Sequence, residues 1–189
     1  MRSTRRKRSM PRSPEWKVAV LPLERPQMLL GFAADHGAFD LKQELIEELR
    51  SLGHKVTDFG AYSLDPADDY PDFVTPLARA VASGEVERGI ALCENTIGAS
   101  VCANKTPRVR AGMPFDHVST WQGVEDSHMN LICLDTRMLG RSIVWDLLQT
   151  FLAANFGYAP SNQRRLEKIA RLEMLERRVS GAGGTQFDV

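Results

Sequence analysis

The chain has 189 residues, 43% of them hydrophobic and 25% charged, the balance of a soluble globular domain rather than of a fibre or a disordered chain. No apolar run nears the roughly 20 residues that span a bilayer, and no signal-peptide-like stretch follows the Arg-rich start, so a cytoplasmic protein with no membrane partner is expected. The net charge of zero is uneven, because residues 1–27 hold eight Lys or Arg against two Asp or Glu and the rest of the chain carries the matching acidic excess.

The basic arm (Arg2, Arg5, Arg6, Lys7, Arg8, Arg12) has no partner motif and little capacity to pack. Residues 1–27 are therefore expected to be a disordered extension with no nucleic acid partner. From Met28 onward, short apolar runs alternate with amphipathic stretches, the pattern of a parallel sheet covered by helices. Met28–Ala33 reads as a buried strand, and residues 39–52 as a helix stopped by Gly53. Lys55–Phe59 is a second strand, followed by a polar loop through Asp65, Pro66, Asp68 and Asp69. Phe73–Val81 reads as a short helix, with Pro76 tolerated only in its first turn. Gly89–Cys93 is a third strand, Ile97–Asn104 a small-residue helix, and Val109–Met113 and Asn130–Leu134 the last two strands. Met138–Phe156 and Arg164–Arg178 are the closing helices, which gives one domain over 28–179 and a loose tail over 180–189.

In open parallel sheets the ligand sits beyond the carboxyl ends of the strands. That places Asp35 and His36, Cys93 to Thr96, Phe115 to His117, and Asp135 to Arg137 along one edge. Backbone N–H groups at the start of the helix after Cys93 are positioned to hold an anion. The three cysteines form neither a disulfide framework nor a CxxC metal site. Cys102 and Cys133 read as small buried hydrophobes.

The segments GFAADHGAFDLKQEL, DDYPDF, ALCENTIGASVCANK, RVRAG and NQRRLEKI, in that order, resemble the ribose-5-phosphate isomerase B and galactose-6-phosphate isomerase family. The match runs from Met28 to about Glu173. The resemblance implies a Rossmann-like three-layer α/β/α fold with a five-stranded parallel sheet. It implies a homodimer or homotetramer with sites between subunits, and no metal or organic cofactor. The implied activity interconverts an aldose phosphate and a ketose phosphate, moving a proton between C1 and C2 through a cis-enediolate. Cys93 then becomes the proton shuttle, its pKa lowered by the helix N-terminus that follows.

Several positions depart from the family pattern. Where its members have Gly-Thr-Gly after the Cys, this chain has Glu94, Asn95 and Thr96. Glu94 puts a negative charge beside the thiol, which opposes thiolate formation, or it is itself the base. Asn95 keeps hydrogen-bonding capacity at the family's Thr position, and Thr96 lies beside the substrate. Asp126 and Ser127 stand in place of a ring-opening His-Asn pair, with His128 and His117 as candidate substitutes. Without a substitute, the chain could still act on an open-chain sugar such as a four-carbon phosphate.

The resemblance assigns phosphate binding to His36, Arg110, Arg137 and Arg165, with Arg165 acting across the dimer. Pro160, Ser161 and Asn162 replace a Gly-Arg-His segment, and Arg164 is placed to compensate. Asp35 matches the aspartate that binds sugar hydroxyls, and a strand-end Asp that caps the helix after it is the competing reading. Asp69 and Tyr70 match the DYP segment, and Asn104 with Lys105 a structural signature. Trp145, Leu147, Leu148, Phe151 and Leu152 are expected to offer an apolar interface surface. Two other readings stay open: an isomerase of an unphosphorylated or modified sugar, and a catalytically weak sugar-phosphate-binding subunit of the same fold.

Overall fold

A computed structural model of the chain describes residues 27–180, so the basic arm through residue 26 and the tail after Ser180 lie outside the described residues. Five strands, β1 (Leu29–Ala34), β2 (Lys55–Asp58), β3 (Arg88–Cys93), β4 (Ala111–Gly112) and β5 (Leu131–Asp135), form one sheet in the order β2-β1-β3-β5-β4. Every pairing is parallel. Four α-helices connect them, α1 (Phe39–Ser51), α2 (Tyr70–Ser83), α3 (Thr96–Asn104) and α4 (His117–Ser127), and two follow β5, α5 (Arg141–Ala153) and α6 (Pro160–Ser180).

The three central strands, β1, β3 and β5, are apolar on both faces, as a doubly covered sheet requires. Leu30, Phe32, Ile90, Leu92, Ile132 and Leu134 face α1, α4 and α5, while Ala33, Ala91, Cys93, Leu131 and Cys133 face α2 and α3. The fold is thus the expected Rossmann-like α/β/α sandwich. Leu147, Leu148, Phe151 and Leu152 belong to its core, at 9% exposure or less, and Trp145 packs against them. They are not the free interface surface expected from sequence.

Three further expectations are corrected. Pro76 sits inside α2, not in its first turn. It lies on the exposed side, so the Asp72 carbonyl it leaves without an N–H turns to water, while Val74, Leu77, Ala78 and Val81 continue the buried face. α4 was not anticipated, because only Thr120 and Val124 of it are buried; Asp116 starts it with a capping box to Ser119. β4 is two residues long because side-chain amides satisfy its backbone. Asn104 accepts from Ala111 N and donates to Ala111 O, both at 2.9 Å, and Asn130 accepts from Arg110 N at 2.8 Å and donates to Arg108 O at 2.9 Å.

A buried lysine fixes the loop between β2 and α2. Lys42 of α1 is fully buried, and its Nζ donates to both Asp58 carboxylate oxygens, at 2.6 and 2.7 Å, and to Ala61 O at 2.6 Å. Removing one member of such a pair leaves the other charge uncompensated. Lys42→Ala should therefore lower stability by about 3 kcal/mol, the lower end for a buried pair because Asp58 keeps 24% side-chain exposure. Urea unfolding checks this, and a loss below about 1 kcal/mol, the worth of an ordinary surface pair, would show that the clamp is dispensable.

Candidate active site

Strand order reverses between β1 and β3, so the crevice of this sheet opens where Asp35 and His36 meet residues 93–96. Ala34 lies opposite Leu92 and Cys93 opposite Asp135, which sets Asp35, Cys93 and Asp135 side by side at the carboxyl edge.

Asp35 is 4% exposed, and its Oδ2 accepts from Glu94 N at 3.1 Å. It makes no side-chain cap to the 3-10 turn His36–Ala38 that follows, so the capping role is not the one it plays. Burial raises its pKa above the ordinary 3.8, and the Glu94 amide offsets this only in part. His36 is gripped by Asp68, whose Oδ1 accepts from His36 N at 3.1 Å and sits 2.6 Å from His36 Nδ1. That bond raises the imidazole pKa above 6.5.

Cys93 is fully buried on the α2–α3 side of the sheet. Burial first, then the charge of Asp35, push its thiol well above the ordinary range, against the lowering expected from the α3 N-terminus. The loop that replaces glycines after it needs none, since no residue from 94 to 96 has a left-handed backbone. Glu94 packs its carboxyl against Gly37, where any side chain would collide with it. Arg137 donates to Glu94 O and its own N–H bonds Asp135 Oδ1 at 2.9 Å. Asn95 caps α3 by accepting from Gly98 N at 3.0 Å. Thr96 is buried and donates to Cys93 O at 2.9 Å, so its hydroxyl is engaged with the backbone. Tyr70 brings its hydroxyl against Gly98, close to the Asn95 amide, while Asp69 is exposed at the start of α2.

Three buried polar atoms at this edge have no hydrogen-bond partner: Asp35 Oδ1, Asp68 Oδ2 and Thr136 Oγ1. Buried acceptors left open are costly, and their clustering in a crevice marks where the donors of a ligand belong. A polyhydroxylated molecule supplies such donors. Among the described residues no group of three His, Cys, Asp or Glu is placed to hold a metal, and no helix is long and apolar enough to cross a membrane.

Five candidates lie elsewhere in the chain. Asp126, His128, Arg110 and Arg165 gather at the amino end of the sheet, which a β-strand of five residues puts roughly 17 Å from the carboxyl edge. Asp126 Oδ1 accepts from Asn162 Nδ2 at 3.0 Å, and Asn162 Oδ1 accepts from Arg165 Nη1 at 3.3 Å. Arg110 donates to His128 O at 2.6 Å and to Arg108 O at 3.0 Å. His128 stacks on Phe156 with ring centroids 4.9 Å apart, and burial followed by Arg110 lowers its pKa. Within one chain these residues do not meet Cys93. His117 bonds Thr150 Oγ1 at 2.7 Å on the outer surface. Sequence reasoning passed over Asp68 as a site residue, although it is adjacent in the chain to Asp69, which it selected.

A doubly wound α/β protein with a crevice of open acceptors at its switch point is the class that fold and site define. The family model for ribose/galactose isomerases matches residues 30–169. The ribose-5-phosphate isomerase B of Escherichia coli is 31% identical over 76% of this chain and 95% of its own. The D-erythrulose-4-phosphate isomerase of Pectobacterium atrosepticum is 33% identical over 78% and 97%. The structure of Clostridium thermocellum ribose-5-phosphate isomerase B superposes with a TM-score of 0.74 at 34% identity, covering 78% of this chain and 98% of that one. The chain belongs to the ribose/galactose isomerase family, and with it to the aldose–ketose isomerases.

The buried Asp35 carboxylate has a measurable consequence. With its pKa raised in the folded state, its destabilising charge is absent below about pH 3.8 and appears as pH rises through the folded value. Asp35→Asn keeps an oxygen for Glu94 N–H and removes that charge. The variant should melt higher than the parent at pH 7, with the gain vanishing toward pH 3.8, as scanning fluorimetry across pH would read.

Proposed function

We propose that this chain isomerises a small sugar phosphate between aldose and ketose through a cis-enediolate. The observation that carries the reading is the set of open buried oxygens on Asp35, Asp68 and Thr136 beside residues 93–96. A base removes the proton from the carbon next to the carbonyl, and the C–H electron pair becomes the C=C bond while the carbonyl pair moves to oxygen. Returning the proton to the neighbouring carbon, with the hydroxyl proton passing between the two oxygens, completes the exchange without any net oxidation. Asp35 holds a sugar hydroxyl, Tyr70 and Asn95 border the carbon chain, and the leading amides of α3 stabilise the developing oxyanion. His36 and Arg137 attract the anionic end of the substrate.

Two adjacent groups are placed to move the proton. Cys93 is the family's shuttle, but its buried thiol resists ionisation. The carboxylate of Glu94, packed on Gly37 next to Asp35 and His36, favours Glu94 as the base or as the group that relays the proton to Cys93. Arg110 and Arg165, at the opposite edge of their own chain, complete the phosphate site of a second copy in a homodimer. Asp126 is tied to Asn162 and so is poorly placed to open a ring, which favours an open-chain substrate of four carbons. A relative whose name specifies D-erythrulose 4-phosphate supports that size.

Incubation with ribose 5-phosphate, erythrose 4-phosphate and erythrulose 4-phosphate in deuterated water tests the reading. Deuterium should enter C2 of the aldose and C1 of the ketose, fastest for the four-carbon pair. Glu94→Gln should slow exchange by about 10²-fold or more, the usual contribution of a general base. Exchange lost only in Cys93→Ala would return the role to the thiol, and no exchange with any sugar phosphate would replace the isomerase by a binding subunit.

A further inference from the structure

We infer that Asp68 is the positioning residue of this site: it fixes His36 as an Nδ1–H imidazole cation and so aims its Nε2–H at an anionic oxygen of the bound molecule. The inference rests on the isomerase reading for the role of that molecule, and on geometry for the rest. Asp68 Oδ1 holds both the backbone N–H of His36, at 3.1 Å, and its ring Nδ1, at 2.6 Å. One carboxylate oxygen thereby sets the position of the residue and the direction of its ring. The Asp68 side chain keeps 9% of its exposure against 31% for His36, so the imidazole reaches outward from an anchor that is itself nearly enclosed.

A carboxylate bound at Nδ1 selects the tautomer with its proton there and leaves Nε2 as the only nitrogen available to a ligand. The cation is favoured from three directions, since Asp35 at the end of β1, Asp68 before α2 and Glu94 after β3 all face His36 and are acidic. Of these, Asp68 alone bonds the ring. The Lys42 clamp on Asp58 and Ala61 fixes the start of the segment that carries Asp68, and the carboxylate is delivered to β1 from a loop of another strand.

The full-length protein and its Asp68→Asn and Asp68→Glu variants would be titrated by nitrogen-correlated NMR of the histidine rings, with inorganic phosphate as the anion probe. In the parent, His36 should carry its proton on Nδ1 and titrate above 6.5. In Asp68→Asn the His36 pKa should fall toward the ordinary 6.5. Phosphate affinity relative to the parent should then fall more at pH values above 6.5, where the variant's imidazole is neutral and the parent's keeps more of its charge, than at pH 6, where both are protonated. Asp68→Glu should restore a large part of both. An unchanged His36 pKa in Asp68→Asn would overturn the inference. So would an affinity loss that is the same on both sides of the His36 titration, which is what a merely structural loop anchor would give. Neither readout requires turnover, so a failure to isomerise sugars would sink the isomerase reading and leave this test intact.

Discussion

The site depends on the parallel register of the three central strands. Side chains alternate between faces along a strand, so a slip of one residue in β3 would carry Cys93 from the α2–α3 side to the other and move Glu94 away from Asp35. That register is held by burial on both faces. Leu30, Phe32, Ile90, Leu92, Ile132 and Leu134 on one side, and smaller residues such as Ala33 and Ala91 on the other, cannot exchange places without voids beneath one helical layer and collisions beneath the other. The chemistry at the edge therefore takes its precision from apolar packing well below it.

The departures from the family pattern form coherent local replacements. Where glycines are absent after Cys93, the backbone stays in ordinary conformations and the added side chains are used: Asn95 caps α3, Thr96 ties back to Cys93, and Glu94 fills the space that Gly37 leaves. Asp126 and Asn162 stand at two places where the resemblance expects other residues, and they bond each other. A carboxylate and an amide in direct contact satisfy one another at the amino edge, which turns two isolated changes into one.

The fold was legible because most strands are short apolar runs alternating with amphipathic stretches, and their number follows from that alternation, whereas their order in the sheet does not. Helix limits were less so. Pro76 argues in sequence for a helix that starts just before it, yet its exposed side makes the missing hydrogen bond tolerable inside a longer helix, which only the packing reveals. α4 is polar apart from a narrow buried stripe, and its signal is the Asp116 cap rather than periodicity. Among site residues, Asp35, His36, Cys93 and Arg137 could be read from strand ends. Asp68 could not, since its role comes from a loop folding back over β1, and nothing in a linear polar segment says which carboxylate turns inward. The separation of Arg110 and His128 from that edge follows from their places just before β4 and β5 in a parallel sheet, whereas that of Asp126 and Arg165 depends on how α4 and α6 pack.

The two hydrogen bonds between Asn104 and Ala111 have a meaning beyond the shortness of β4. A sheet edge with free backbone groups is a template on which another chain can add a strand, and short, blunted edges are how folded proteins avoid it. Here a single amide side chain occupies the donor and acceptor that an added strand would need, and it arrives from a helix that is already packed. The sheet is thereby terminated from within at its β4 edge, where the continuous strand pairing from which aggregates grow finds no free donor and acceptor at Ala111.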